Sequence, residues 1–134
     1  MKSYLIIVLV ILFSSCDQSA IRQNFSSADS LVVHFKDEQA GIVTKTVQTA
    51  ESKAINRMID FIDAKGTEQF NCGYDGKMFF YNKGQKIQEV DFKMKNDSCN
   101  HFFFLLNENR MSTKMSGEAI DFLNALEQGM PIYY

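Results

Sequence analysis

Turn signals recur along the second half of this 134-residue chain at intervals too short for helices. Asp75-Gly76, Asn82-Lys83-Gly84, Asn96-Asp97-Ser98 and Asn107-Glu108-Asn109 all carry residues that favour tight turns. The segments between them, 77–81, 86–95, 99–106 and 110–114, have strand length and are rich in branched and aromatic residues. None of the gaps can hold a crossover helix, so consecutive strands must run antiparallel. The spacing therefore predicts a meander of four to five strands.

The flanking sequence supplies the other layer. Residues 31–35 read as a strand, 37–41 as a turn, and 42–48 as a second strand of alternating threonine and branched residues, which makes a hairpin. Thr49 stands where a helix N-cap would, and Ile55, Met58, Ile59 and Ile62 fall on one helical face. Gly66 ends that helix. Beyond the meander, Ser116 is an N-cap, with Met115 and Ile120 placed as a hydrophobic staple. Ala119, Phe122, Leu123 and Leu126 form a second apolar stripe, closed by Gly129 and Pro131. The expectation is an α+β domain: an antiparallel, curved sheet with two helices packed on one face. The order of elements resembles helix-grip and TATA-binding-protein-like arrangements, at the level of order alone.

The N-terminus speaks to location. Lys2 precedes an unbroken apolar run, 5–13, which is well short of the roughly 20 residues of a membrane-spanning helix. Small residues Ser14 and Ser15 follow, then Cys16 and a polar stretch. This pattern resembles the signal peptide and lipobox of bacterial lipoproteins, with Phe13 in the place where that family favours leucine. The resemblance covers residues 1–16 and implies removal of residues 1–15, lipidation of Cys16 and attachment to a bacterial membrane, on its periplasmic side or at the cell surface. Residues 16–29 then read as the lipidated N-terminus and a flexible tether, the alternative being a short helix packed on the domain through Ile21 and Phe25, four apart, and 30–134 as a single domain. Membrane lipid is thus one expected partner.

Of the three cysteines, Cys16 is assigned to lipid, which leaves Cys72 and Cys99 as a pair in an oxidising compartment. In a flat meander a strand holding Cys72 would lie three strands from Cys99, about 14 Å away. A disulfide spans about 7 Å between Cα atoms. Cys72 therefore belongs in a loop crossing the sheet end, which suits the glycine-rich stretch around it.

Composition and motifs exclude several activities. A net charge of −2 with scattered lysines is wrong for nucleic acid, whose phosphates require a basic patch. The spacing of His34, Cys72, Cys99 and His101 matches no zinc pattern, so no metal or other cofactor is expected. No nucleophile elbow, zincin motif or P-loop is present, and no catalytic residue is nominated. The acidic residues Asp60, Asp63, Glu68, Asp75, Glu89 and Asp91 read as solvated surface and turns.

The aromatic strands are the remaining oddity. In 99–106, His101, Phe103 and Leu105 share one face, and Phe102, Phe104 and Leu106 the other. Met78 and Phe80 oppose Phe79 and Tyr81 in the same two-sided way, whereas Val90 and Phe92 alternate with Asp91 and Lys93. A sheet with helices on one face should be polar on the other. Either loops, the N-terminal hairpin or the Tyr133-Tyr134 tail cover the second face, or it is an apolar surface, for which Phe80, Tyr81, Phe102, Phe104 and Leu106 are the expected binding residues. The functional expectation is a non-catalytic, lipid-anchored binding module of the cell envelope. Its partner would be an envelope protein, as for an accessory subunit, inhibitor or immunity-type protein, and its second face would also suit a homodimer. The alternatives are a carrier of a small apolar ligand between sheet and helices and, further off, a hydrolase.

If Cys16 carries the anchor, Cys16→Ser should release the protein from membranes or leave it as an unprocessed precursor. Mass spectrometry of the native N-terminus reads this directly: an unmodified Cys16, or cleavage elsewhere, overturns the assignment.

Overall fold

A computed structural model describes residues 19–37 and 39–131. Nine elements follow in order: α1 (Ala20–Phe25), β1 (Ser30–Lys36), β2 (Val43–Thr49), α2 (Ser52–Ile62), β3 (Gly76–Asn82), β4 (Gln85–Lys93), β5 (His101–Leu106), β6 (Asn109–Lys114) and α3 (Gly117–Gln128). The six strands make one open antiparallel sheet in the order β2-β1-β3-β4-β5-β6. The hairpin and the four-strand meander are both present, and α2 carries the chain from β2 back to β3, which pairs with β1. The fold is α+β, with three helices instead of two.

One face of the sheet and the helices enclose the core. Leu31, Val33 and Phe35 of β1, Met78 and Phe80 of β3, Val90 and Phe92 of β4, and Phe102, Phe104 and Leu106 of β5 all point into it. Ile55, Met58, Ile59 and Ile62 of α2, with Ala119, Phe122 and Leu123 of α3, close it from the other side. Both apolar stripes are those read from periodicity. Ser116 caps α3, its Oγ accepting from the Ala119 N–H at 3.1 Å, and Gly129 ends that helix in the left-handed conformation.

The segment expected as a tether departs from that reading. Residues 20–25 form α1, whose Ile21 and Phe25 are buried. The helix is short and is held by docking. The Phe25 ring meets Phe80 and Phe104 edge-on, with centroids 4.9 and 5.6 Å away. Arg22 pairs with Asp60 of α2 and reaches Asp63, and the Ser19 hydroxyl donates to Asp63 at 2.7 Å. The signal peptide and Cys16 lie outside the described residues.

Local details differ for identifiable reasons. The N-cap of α2 is Glu51, while the Thr49 hydroxyl accepts from the Glu51 N–H at 3.0 Å, so the helix begins two residues late. Asp75-Gly76 opens β3 and does not close a hairpin. A Cβ at Gly76 would stand 2.3 Å from the His34 carbonyl oxygen and from the Phe92 ring, so only glycine fits there. Strand β4 stops at Lys93, because the next two N–H groups, of Met94 and Lys95, donate to the Asp75 carboxylate at 2.7 and 2.9 Å.

Phe104 is 2 % exposed in the core, whereas Phe103 is half-buried on the opposite face. Phe104→Ala should cost about 3 to 5 kcal/mol, and Phe103→Ala clearly less. Urea midpoints of the two variants compare them, and similar losses would contradict the assignment of faces.

Candidate functional site

The face of the sheet away from the helices is reached by alternate residues of each strand: His34 on β1, Lys77, Phe79 and Tyr81 on β3, Lys86, Glu89 and Asp91 on β4, and His101, Phe103 and Leu105 on β5. Two devices cover much of its apolar area. The first is the loop 67–75. Its Phe70 and Tyr74 rings lie over His101 at 5.2 and 5.7 Å, and Tyr74 stacks on Phe103 at 6.3 Å. The second is long polar side chains: the Lys86 ammonium sits 5.9 Å above the Phe79 ring, and His34 meets that ring edge-on at 5.1 Å.

The covering loop is tied down at both ends. Cys72 and Cys99 form a disulfide, with Cα atoms 6.5 Å apart, and Cys72 is in a loop at the sheet end as its spacing required. Asp75 is 2 % exposed, not solvated, and faces Lys93, whose ammonium lies 3.3 Å from its carboxylate. Beneath the loop His101 is fully buried. Its Nδ1 is 2.7 Å from the Cys99 carbonyl oxygen, so that nitrogen carries the proton and donates. Its Nε2 has no hydrogen-bond partner among the described residues. With both cysteine sulfurs bonded to each other and His34 on β1 beside Phe79, the four sequence candidates for metal ligation do not converge.

Past the loop the sheet opens. Strands β4 and β5 pair only at Asp91–Phe103, Phe92–Phe102 and Lys93–His101, although β4 stays paired to β3 and β5 to β6 along their lengths. A bulge in β4 leaves Ile87 as the extra residue opposite Phe80 and Tyr81, and bulges bend and twist the strand that carries them. The two strands separate there into a cleft of about 380 Å³ lined by Lys86, Glu89, Asp91, Phe103 and Leu105. Leu105 is 52 % exposed at its rim.

The cleft is polar at one end. Lys77 bridges Asp91 at 3.7 Å and Glu89 at 3.8 Å. Burial pushes the Asp91 carboxyl above its ordinary value, against the pull of Lys77 and Lys36. The Lys86 hydrogen bond holds Glu89 below the usual range. Burial, followed by the Asp91 charge, raises the Tyr74 hydroxyl in turn.

Of the residues expected to bind, Phe80, Phe102, Phe104 and Leu106 are buried under the helices, so they belong to the core and not to a surface. Tyr81 alone of that set is on the second face, half-buried. The exposed apolar side chain is Leu105, of the opposite parity. A signal for this was present: β4 is one-sided, and Phe92 pairs with Phe102, which phases the ambiguous β5.

The raised Asp91 has a consequence for stability. Its carboxyl binds a proton more tightly folded than unfolded, so the fold loses stability as pH rises from the ordinary aspartate value, about 3.9, through the raised one. Asp91→Asn should give a urea midpoint above wild type at pH 7, with the difference shrinking on acidification. A midpoint below wild type at every pH would show that the Lys77 pair outweighs burial.

Comparison with family models, curated proteins and solved structures finds no match for this chain.

Proposed function

We infer that this protein is a non-catalytic, lipid-anchored binding module of the bacterial cell envelope that takes a protein partner in the cleft between β4 and β5. The observation that carries the reading is the separation of these two strands beside a sealed core. It leaves an apolar rim at Leu105 and Phe103, with Lys86, Glu89 and Asp91 as polar neighbours, and an open stretch of backbone on either side. An interface needs this combination of an apolar anchor point and a polar surround. The carrier alternative has less support. Phe80 and Phe104 close on Phe25, and the apolar void between sheet and helices at Leu31, Val47, Phe122 and Leu126 holds about 70 Å³. Ligand sites run from about 300 Å³ upward.

The anchored part of the reading becomes tighter with α1 docked. Three peptide units separate Cys16 from Ser19, a reach of at most about 11 Å. The domain would then sit against the membrane on its helical side. No helix among the described residues is long and apolar enough to cross a membrane.

A photo-crosslinking amino acid at position 105, in the full-length protein in its own cells, tests the cleft. The expected result is a discrete protein adduct from position 105 that disappears in the Phe103→Ala background, and none from the exposed helical position Gln128. Equal labelling from both positions, or none from 105, would remove the cleft as the binding site.

A further inference from the structure

The loop 67–75 covers the part of the second face next to the cleft, and its backbone does little to keep it there. Its ends are fixed. The Thr67 N–H donates to the Ser112 carbonyl at 2.9 Å, and the Asp75 N–H to the Phe92 carbonyl at 2.8 Å. Between them, residues 68–74 make no backbone–backbone hydrogen bond to any described residue. Glu68, Gln69, Asn71 and Gly73 are exposed, while Phe70, Cys72 and Tyr74 are half-buried. The middle of the loop therefore rests on two rings and one covalent bond, Cys72–Cys99. Segments with so few backbone hydrogen bonds are among the first to open.

The cover leaves one group beneath it unsatisfied. His101 is fully buried and its Nδ1 donates to the Cys99 carbonyl, so Nε2 is a bare acceptor, and it has no partner. A buried acceptor without a donor is destabilising, and exposure to water or to a donor relieves it. Phe103, on the same face of β5, lies under Tyr74 and also lines the cleft. Removing the loop would thus extend the cleft along β5 from Leu105 to His101.

We propose that the surface beneath this loop is a concealed extension of the cleft, uncovered when a protein dithiol reduces Cys72–Cys99. The proposal rests on the partner site inferred above and names its regulation. The partner that fits sets an apolar side chain on Phe103 and a hydrogen-bond donor on the His101 Nε2. The incoming thiolate attacks the Cys72 sulfur, since Cys72 is half-buried whereas Cys99 is 2 % exposed. The S–S bond breaks, and Cys99 leaves as a thiolate that takes a proton from water. The second thiol of the reductant then resolves the mixed disulfide at Cys72, so the protein ends with two thiols and the reductant with a disulfide. The loop keeps its ends at Thr67 and Asp75 and loses its middle tie, while the strand ladders beneath it stay paired.

Reduced thioredoxin serves as the probe dithiol, on full-length protein in detergent without denaturant. Labelling of histidines by diethyl pyrocarbonate, read by mass spectrometry, reports the cover. In oxidised protein His34, half-buried on the uncovered part of the sheet, should be labelled and His101 should not. After reduction, His101 labelling should rise several-fold, with His34 labelling and the far-ultraviolet spectrum unchanged. Cys72→Ser should match reduced wild type with no reductant present. In cells, the protein adduct from position 105 should increase several-fold in the Cys72→Ser background. A disulfide that thioredoxin reduces only in urea overturns the proposal. So does a reduced, folded protein whose His101 stays unlabelled, loss of the fold both on reduction and in Cys72→Ser, or an adduct from 105 that Cys72→Ser leaves unchanged. No adduct from 105 in either background overturns instead the partner site on which the proposal rests, a result that the labelling of His101 does not depend on.

Discussion

Asp75 is the point at which the sheet and its covering loop are held together. Its N–H donates to the Phe92 carbonyl and its carbonyl accepts from the Lys36 N–H, both at 2.8 Å, so its backbone joins β4 to β1 at the mouth of β3. Its carboxylate takes the N–H groups of Met94 and Lys95 and the Lys93 ammonium. A buried carboxylate is costly unless every lone pair is engaged, and here the partners come from the stretch where β4 must stop. One side chain thereby ends a strand, starts another, and fixes the near end of the loop 67–75. The disulfide fixes the same loop from Cys72 to Cys99. Truncating Asp75 would leave the buried Met94 N–H, the part-buried Lys95 N–H and the Lys93 ammonium without that acceptor.

With the loop so held, the second face of the sheet is divided into two parts. Over β5's first residues it is dry and layered: Phe70 and Tyr74 above, His101 and Phe103 below. Beyond Phe103 the Leu105 side chain is exposed and β4 leaves β5. Two features coincide there. The Ile87 bulge bends β4, and the Phe25 ring spans from Phe80 to Phe104, bridging β3 and β5 across the line of β4. The same aromatic residue that seals the core therefore stands behind the cleft, which gives the cleft a rigid floor.

What the sequence disclosed follows from where its patterns are one-sided. The stripes of α2 and α3, the β1–β2 hairpin, the meander and the loop position of Cys72 all come from strict periodicity or from a distance limit. Strand β5 is apolar at both parities, so HFFFLL alone cannot say which residues are core. Its neighbour could, since Phe92 opposite Phe102 and Asp91 opposite Phe103 carry the phase across. Helix α1 was legible only as the alternative to a tether, from the spacing of Ile21 and Phe25, for a different reason. Six residues have little helical tendency of their own, and only docking of Ile21 and Phe25, with Arg22 on Asp60, makes the helix worth forming. Asp75 looked like a turn residue because its partners, Lys93 to Lys95, are nearly twenty positions away.

Docking of α1 also changes how an anchor at Cys16 would act. A long tether would let the domain sample every orientation, so no face could be assigned to the membrane. Three peptide units, a reach of at most about 11 Å, would narrow that range. Ser19 is bonded to Asp63 at the end of α2, and Phe25 is locked under the sheet, so the chain leaves the domain from its helical layer. The sheet lies on the far side of that layer. Its second face, with the cleft at Leu105, would then be turned away from the bilayer, toward whatever else occupies the envelope. Given an anchor at Cys16, short spacing, a docked first helix and a sheet sealed on one side would thus combine to leave the cleft at Leu105 free for contacts away from the membrane.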